Sequence, residues 1–184
     1  MRFSGLFLLL ALLQFKAIAQ TAASDVPTAE QVMRTALTRA AKENKNVILM
    51  FHASWCGWCH RMDSSLNDPS VKKFFDDNYV ITHLVVDESP AKKSLENAGA
   101  NEFRIKYHGD GVGIPFWLIF DKGGNLLADS KIRINGENEA GGNNIGCPAN
   151  KEEVAYFLDL LRKTSHLKED QLTLIAARFR KNEN

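Results

Sequence analysis

The stretch Asn46-Val47-Ile48-Leu49-Met50-Phe51-His52-Ala53-Ser54-Trp55-Cys56-Gly57-Trp58-Cys59-His60 joins an apolar run to a C-x-x-C hexapeptide. Asn46 to Ala53, around the apolar run Val47 to Phe51, reads as a strand, and a helix is expected from Gly57 to about Leu66. A strand that ends in two cysteines at the mouth of a helix is a dithiol/disulfide site. The helix turns its unpaired N–H groups and positive dipole end toward the first sulfur, which favours thiolate over thiol. The two-residue spacer keeps the second sulfur one turn away, within reach of a disulfide.

Outward from this centre the chain alternates helices and strands. Thr28 caps a helix through about Asn44, with Val32, Met33, Ala36, Leu37 and Ala40 at helical spacing. Asp68-Pro69 reads as N-cap and first-turn proline of a helix to about Asn78, and Tyr79 to Asp87 as a second strand. Ser89-Pro90 repeats the cap-plus-proline signal for a helix to about Tyr107. A glycine-rich turn, His108 to Gly113, leads into Ile114-Pro115-Phe116-Trp117-Leu118-Ile119-Phe120. Asp121 to Asn125 is a hairpin signal, and Leu126 to Ile134 the returning strand. After a polar loop dense in Gly and Asn, Asn135 to Cys147, Asn150 and Glu153 form a capping box for a helix to about Lys163. A last amphipathic helix, about Lys168 to Lys181, carries Leu172, Ile175, Ala176 and Phe179 on one face. This order predicts an α/β fold: a central mixed β-sheet flanked by helices, the early strands parallel and the hairpin antiparallel, with an extra C-terminal helix.

The N-terminus reads as an export signal over residues 1–19: Arg2 is its positive region, Leu6 to Leu13 its apolar core and Ala17-Ile18-Ala19 its cleavage site. A retained hydrophobic anchor is the other reading, although the run falls short of the about 20 residues a span needs. Residues 20–27 then form a linker and 28–184 one domain. With 23 basic and 22 acidic residues the net charge is +1, which gives no argument for nucleic acid or an anionic membrane as partner. The expected location is secreted, in the periplasm. Three cysteines are too few for a disulfide scaffold, and a pair closing so short a loop stabilises little by chain entropy. Chemistry is the purpose expected of Cys56 and Cys59.

Over about residues 28–165 the chain resembles the thioredoxin superfamily, and in particular exported thioredoxin-like proteins with a Trp-Cys-Gly-Trp-Cys centre. Three features in order carry the resemblance: Ala53-Ser54-Trp55-Cys56-Gly57-x-Cys59, the strand ending at Asp87, and Ile114-Pro115 opening a strand before a Gly-Gly hairpin. The resemblance implies a cis Pro115 beside the dithiol, with Ile114 offering backbone groups to an extended peptide. Cys56, at the helix N-terminus, is expected to be the nucleophile, with a pKa below the free value of about 8.5, and Cys59 the resolving thiol. Trp55 and Trp58 flank the sulfurs with flat apolar surface for a protein substrate, packing being the alternative role for each. The expected activity is thiol–disulfide exchange with protein disulfide or dithiol substrates, as a reductant, with no bound cofactor and no metal. A membrane electron donor is the partner that direction requires.

One departure stands out. Thioredoxins carry a buried acid six residues before the first cysteine, and that position here is Met50; His52 and His60 are the titratable groups nearby. A redox-inert peptide-binding module is therefore a competing reading. A second is a c-type haem electron carrier, because Cys56-x-x-Cys59-His60 is also the haem attachment pattern. A structural zinc falls short of four ligands even with Cys147. Cys147 itself reads as a buried inert thiol, with intermolecular pairing or a third redox role as alternatives. The 135–146 loop reads as an insertion, with a lid or partner surface near the dithiol as the alternative, and His83 as structural.

Overall fold

The computed structural model describes residues 26–133, 138 and 140–183. The expected leader at 1–19, all but the last two residues of the expected linker, and part of the polar loop lie outside the described residues. Among the described residues six α-helices and six strands follow in chain order: α1 Ala29–Glu43, β1 Asn46–His52, α2 Gly57–Leu66, α3 Lys72–Asn78, β2 Tyr79–Val85, α4 Ala100–Lys106, β3 Phe116–Phe120, β4 Leu126–Asp129, β5 Lys131–Ile132, β6 Asn143–Asn144, α5 Lys151–Thr164 and α6 Glu169–Phe179. The main sheet has the order β2-β1-β3-β4, with β1 parallel to β2 and antiparallel to β3. That is the mixed sheet with an antiparallel hairpin which the sequence predicts.

β1 occupies the centre because both of its faces are apolar. Val47, Leu49 and Phe51 point to one side, into a core shared with α1 and α4. Ile48 and Met50 point to the other, against Met62 and Leu66 of α2, Phe75 of α3, Phe157 of α5 and Phe179 of α6. The predicted caps are in place: Thr28 caps α1, where Gln31 completes a capping box not expected from the sequence, and Asn150 and Glu153 form one on α5. α6 is more than an appendage. Leu172, Ile175 and Phe179 are buried in the core, and Arg178 Nε reaches Asp68 at 2.6 Å.

Four predicted elements are corrected. The helix expected from Asp68 begins at Lys72, because Asp68 Oδ1 accepts from the amide and hydroxyl of Ser70 and holds a turn instead. The strand expected to reach Asp87 stops at Val85, and Asp87 takes a left-handed conformation. The single helix expected from Ser89 to Tyr107 is a 3₁₀ segment, Pro90–Leu95, followed by α4. Asn97 causes that break: its Oδ1 accepts from Val85 N and its Nδ2 donates to Pro27 O, which ties mid-segment backbone to the end of β2. The strand from Leu126 is interrupted at Ser130, whose hydroxyl accepts from Trp117 N and donates to Asn144 Oδ1. The chain then leaves the main sheet, and β5 pairs with β6 as a separate antiparallel ribbon.

Candidate active site: a dithiol at a helix N-terminus

Cys56 is the N-cap of α2. Its sulfur accepts from the Cys59 amide at 3.1 Å, and the two sulfurs are joined as a disulfide with Cα atoms 5.2 Å apart. A side chain at an N-cap that takes up an orphan helix N–H is the ordinary solution to an open helix end; here the acceptor is sulfur. Cys56 is 3 % exposed and Cys59 not at all, so an incoming sulfur meets Cys56 first.

The surroundings of that small opening are flat and apolar. Trp55 and Trp58 are 60 % and 50 % exposed. Trp55 is not free to swing, since its Nε1 donates to Asp87 O at 2.8 Å, and the Arg61 guanidinium lies 4.7 Å over the Trp58 ring. The Ile114–Pro115 bond is cis, and the Ile114 carbonyl oxygen stands 3.6 Å from Cys56 Sγ. Next to Trp58 and Pro115 opens a groove of about 410 Å³, whose lining also includes Asn144, Gly146 and Glu183. The structure thus brings Trp55, Cys56, Trp58, Cys59, Ile114 and Pro115 together around one opening.

Several contributors were not legible beforehand. Glu88 accepts from both the amide and the hydroxyl of Ser54, and Lys92 Nζ donates to the same hydroxyl at 3.2 Å. The Ser54 amide is the main cause that holds the Glu88 carboxyl below the usual carboxylate range. Arg104 makes a two-pronged pair with Asp87 at 2.6 and 3.1 Å, fixing the segment that receives Trp55. The polar loop is more than a detour. Asn144 Nδ2 donates to Gly113 O at 2.7 Å and to Pro115 O at 3.1 Å, while Trp117 Nε1 donates to Gly146 O. Only the register of β5 on β6 reveals that placement.

On the sheet face that α2 covers, Met50 is fully buried among apolar side chains. His83 Nε2 is 2.9 Å from Asp63 Oδ1, and the His52 and His83 ring centroids are 4.8 Å apart. Burial, then the neighbouring His83, pulls the pKa of His52 below the ordinary histidine value. His60 faces outward, its Nε2 3.0 Å from Ser54 O. Cys147 is a buried free thiol contacted by Asn182 Nδ2 at 3.4 Å, and burial pushes its pKa up to about 12. Among the described residues no group of three or more His, Cys, Asp or Glu side chains is placed to hold a metal ion. Nor, among them, is any helix long and apolar enough to cross a membrane.

A mixed sheet between helix layers, with a C-x-x-C disulfide capping a helix beside a cis proline, defines a thioredoxin-like fold with a redox-type cysteine pair. The thioredoxin-like family model matches residues 28–122, and the chain belongs to that family. Among solved structures it is similar to a disulphide isomerase from Xylella fastidiosa Temecula1, at 22 % identity over 58 % of this chain and 80 % of that one, TM-score 0.43. It is likewise similar to a DsbH oxidoreductase, at 21 % identity over 83 % of this chain and 93 % of that one, TM-score 0.42. A thioredoxin from Thermus thermophilus is similar at 20 % identity over 74 % of this chain and 82 % of that one, TM-score 0.42. No curated protein sequence matches. The close cysteine pair in this fold is consistent with thiol–disulfide exchange.

Proposed function

We propose that the protein is an exported thiol–disulfide oxidoreductase that reduces disulfides in protein substrates. The observation that carries the proposal is the Cys56 sulfur, held at the N-terminus of α2, receiving the Cys59 amide and lying beside the Ile114 carbonyl. In the reduced protein the Cys56 thiolate attacks one sulfur of a substrate disulfide. A mixed disulfide forms and the other substrate sulfur leaves as a thiolate. Cys59 then attacks Cys56, closing the disulfide seen here and releasing the second substrate thiol; two electrons pass from protein to substrate. An extended peptide lies against Trp55, Trp58 and the Ile114–Pro115 backbone while this happens.

Support for the reducing direction comes from Gly57 and Ile114, which resemble the corresponding residues of reducing thioredoxins; Trp58 departs from that pattern. Support for export comes from Arg2, the Leu6–Leu13 run and Ala17-Ile18-Ala19. A reductant in an oxidising compartment needs a membrane electron donor to regenerate the dithiol. The second reading, a redox-inert peptide-binding module, draws on Met50, which leaves no acid at that buried position.

Equilibration in thiol redox buffers, followed by the fluorescence of Trp55 and Trp58, tests the proposal. A potential near about −230 mV or lower supports the reductant, whereas about −180 to −120 mV means an isomerase or oxidant. No reversible two-electron couple would leave the binding module. Cell fractionation with N-terminal sequencing of the mature protein tests the compartment.

A further inference from the structure

Closing the disulfide requires Cys59 to lose a proton, and Cys59 is fully buried under the opening. A thiol cut off from water yields its proton readily only where a base receives it. Met50 can receive none, so the receiver has to come from elsewhere on the buried face.

Three elements converge there. Side chains alternate along β1, so His52 lies on the same sheet face as Ile48 and Met50, the face that α2 covers through Met62 and Leu66. His52 is the next residue on that face toward the strand end, from which the chain turns into the cysteines. On β2, His83 pairs in register with Met50, which puts its ring beside that of His52 at 4.8 Å. On α2, Asp63 follows Cys59 by four residues and so shares its helix face. Asp63 holds His83 at 2.9 Å. Among the described residues His52 Nδ1 is buried without a hydrogen-bond partner, whereas His83 is engaged by the carboxylate.

We propose that His52, backed by the His83–Asp63 pair, is the proton acceptor for Cys59 in the closing step. This rests on the thiol–disulfide exchange reading above. From the Cys56–substrate mixed disulfide, the Cys59 thiol passes its proton to the neutral imidazole of His52. The resulting thiolate attacks Cys56 Sγ; the Cys56–Cys59 bond forms and the bond from Cys56 to the substrate sulfur breaks. The substrate leaves with the electron pair as a thiolate, and the imidazolium returns its proton to that thiolate or to water. The charged and titratable groups whose fields reach His52 are His83, Asp63, His60 and Glu88: the two carboxylates favour its charged form, the two histidines oppose it. Burial outweighs the carboxylates, and the ring is neutral and able to accept at neutral pH.

The test is a stopped-flow reaction of the reduced full-length protein with a chromogenic aromatic disulfide. Attack by Cys56 releases one chromophore and closure by Cys59 a second, and the two phases are followed from about pH 5 to about pH 9. The wild-type second phase is expected to rise through an ionisation below the ordinary histidine value. His52→Gln is expected to slow that phase about a hundredfold at neutral pH and remove the inflection, leaving the first phase in place. Asp63→Asn, a milder change at a half-buried position, is expected to slow the same phase less and shift its inflection. A second phase with wild-type rate and pH profile in His52→Gln overturns the assignment. If that variant does not fold, an unaltered profile in Asp63→Asn overturns it equally. A wild-type protein that never releases the second chromophore sinks the exchange reading itself, and this inference with it.

Discussion

The Cys59 amide points at the Cys56 sulfur across 3.1 Å, so the peptide backbone alone makes the two cysteines unequal. Negative charge is stabilised on Cys56 by the helix end, while Cys59 sits one turn inside with no opening of its own. In the proposed exchange Cys56 is therefore the sulfur that attacks first. Cys59→Ser is expected to accumulate mixed disulfides with substrate that survive non-reducing electrophoresis, and Cys56→Ser to accumulate none. Equal trapping by both variants contradicts the assigned order.

Cys147 should behave as an inert thiol. Its raised pKa keeps it protonated through neutral and mildly alkaline solution, and its sulfur is buried against Asn182. After reduction, alkylation of the folded protein is expected to modify Cys56 and leave Cys147 untouched. Denaturation should expose it. Mass spectrometry of trapped peptides distinguishes the two, and fast labelling of Cys147 in the native protein contradicts the burial.

Phe179 measures how much α6 matters. Its ring stands 5.0 Å from Phe157 and 6.2 Å from Phe75, centroid to centroid, and is fully buried. Phe179→Ala is expected to cost about 3–5 kcal/mol in a denaturant titration, the usual range for emptying a buried aromatic site. A loss under about 1 kcal/mol would show that α6 is only lightly docked.

His52 also predicts a pH dependence of stability. Its folded-state pKa lies below the unfolded value, so on acidification the unfolded chain takes up a proton that the folded chain refuses. Stability is expected to fall as the pH drops below the ordinary histidine value and to level off below the lowered one. His52→Gln should lack that part of the slope. Denaturant midpoints for both proteins from about pH 7.5 to about pH 5 read the difference, and parallel curves count against a buried neutral ring.

What could be read from the chain was local. The apolar run into Cys56 fixes the central strand, Thr28 and the pair Asn150 with Glu153 mark helix starts within a few residues, and Ile114-Pro115 marks the loop beside the dithiol. What could not be read depends on partners far along the chain. Asn97 breaks a helix by bonding to Val85 and Pro27, and nothing in its neighbourhood announces either bond. β5 and β6 are too short and polar to signal strands, and exist because Ser130 and Asn144 meet. His83 reads as structural on its own strand. Its place beside His52 and Asp63 requires the register of β1 on β2 and the docking of α2 at once.

Arg61 connects the site to the far end of the chain. Its guanidinium covers Trp58 and donates to the carbonyl of Asn182, while Glu183 lines the groove beside Pro115. An affinity handle fused directly after Glu183 would start at the edge of that groove, where it would compete with the extended peptide proposed to lie there. Recombinant protein for any of the assays above should carry its purification tag ahead of α1 and leave the last turn unencumbered.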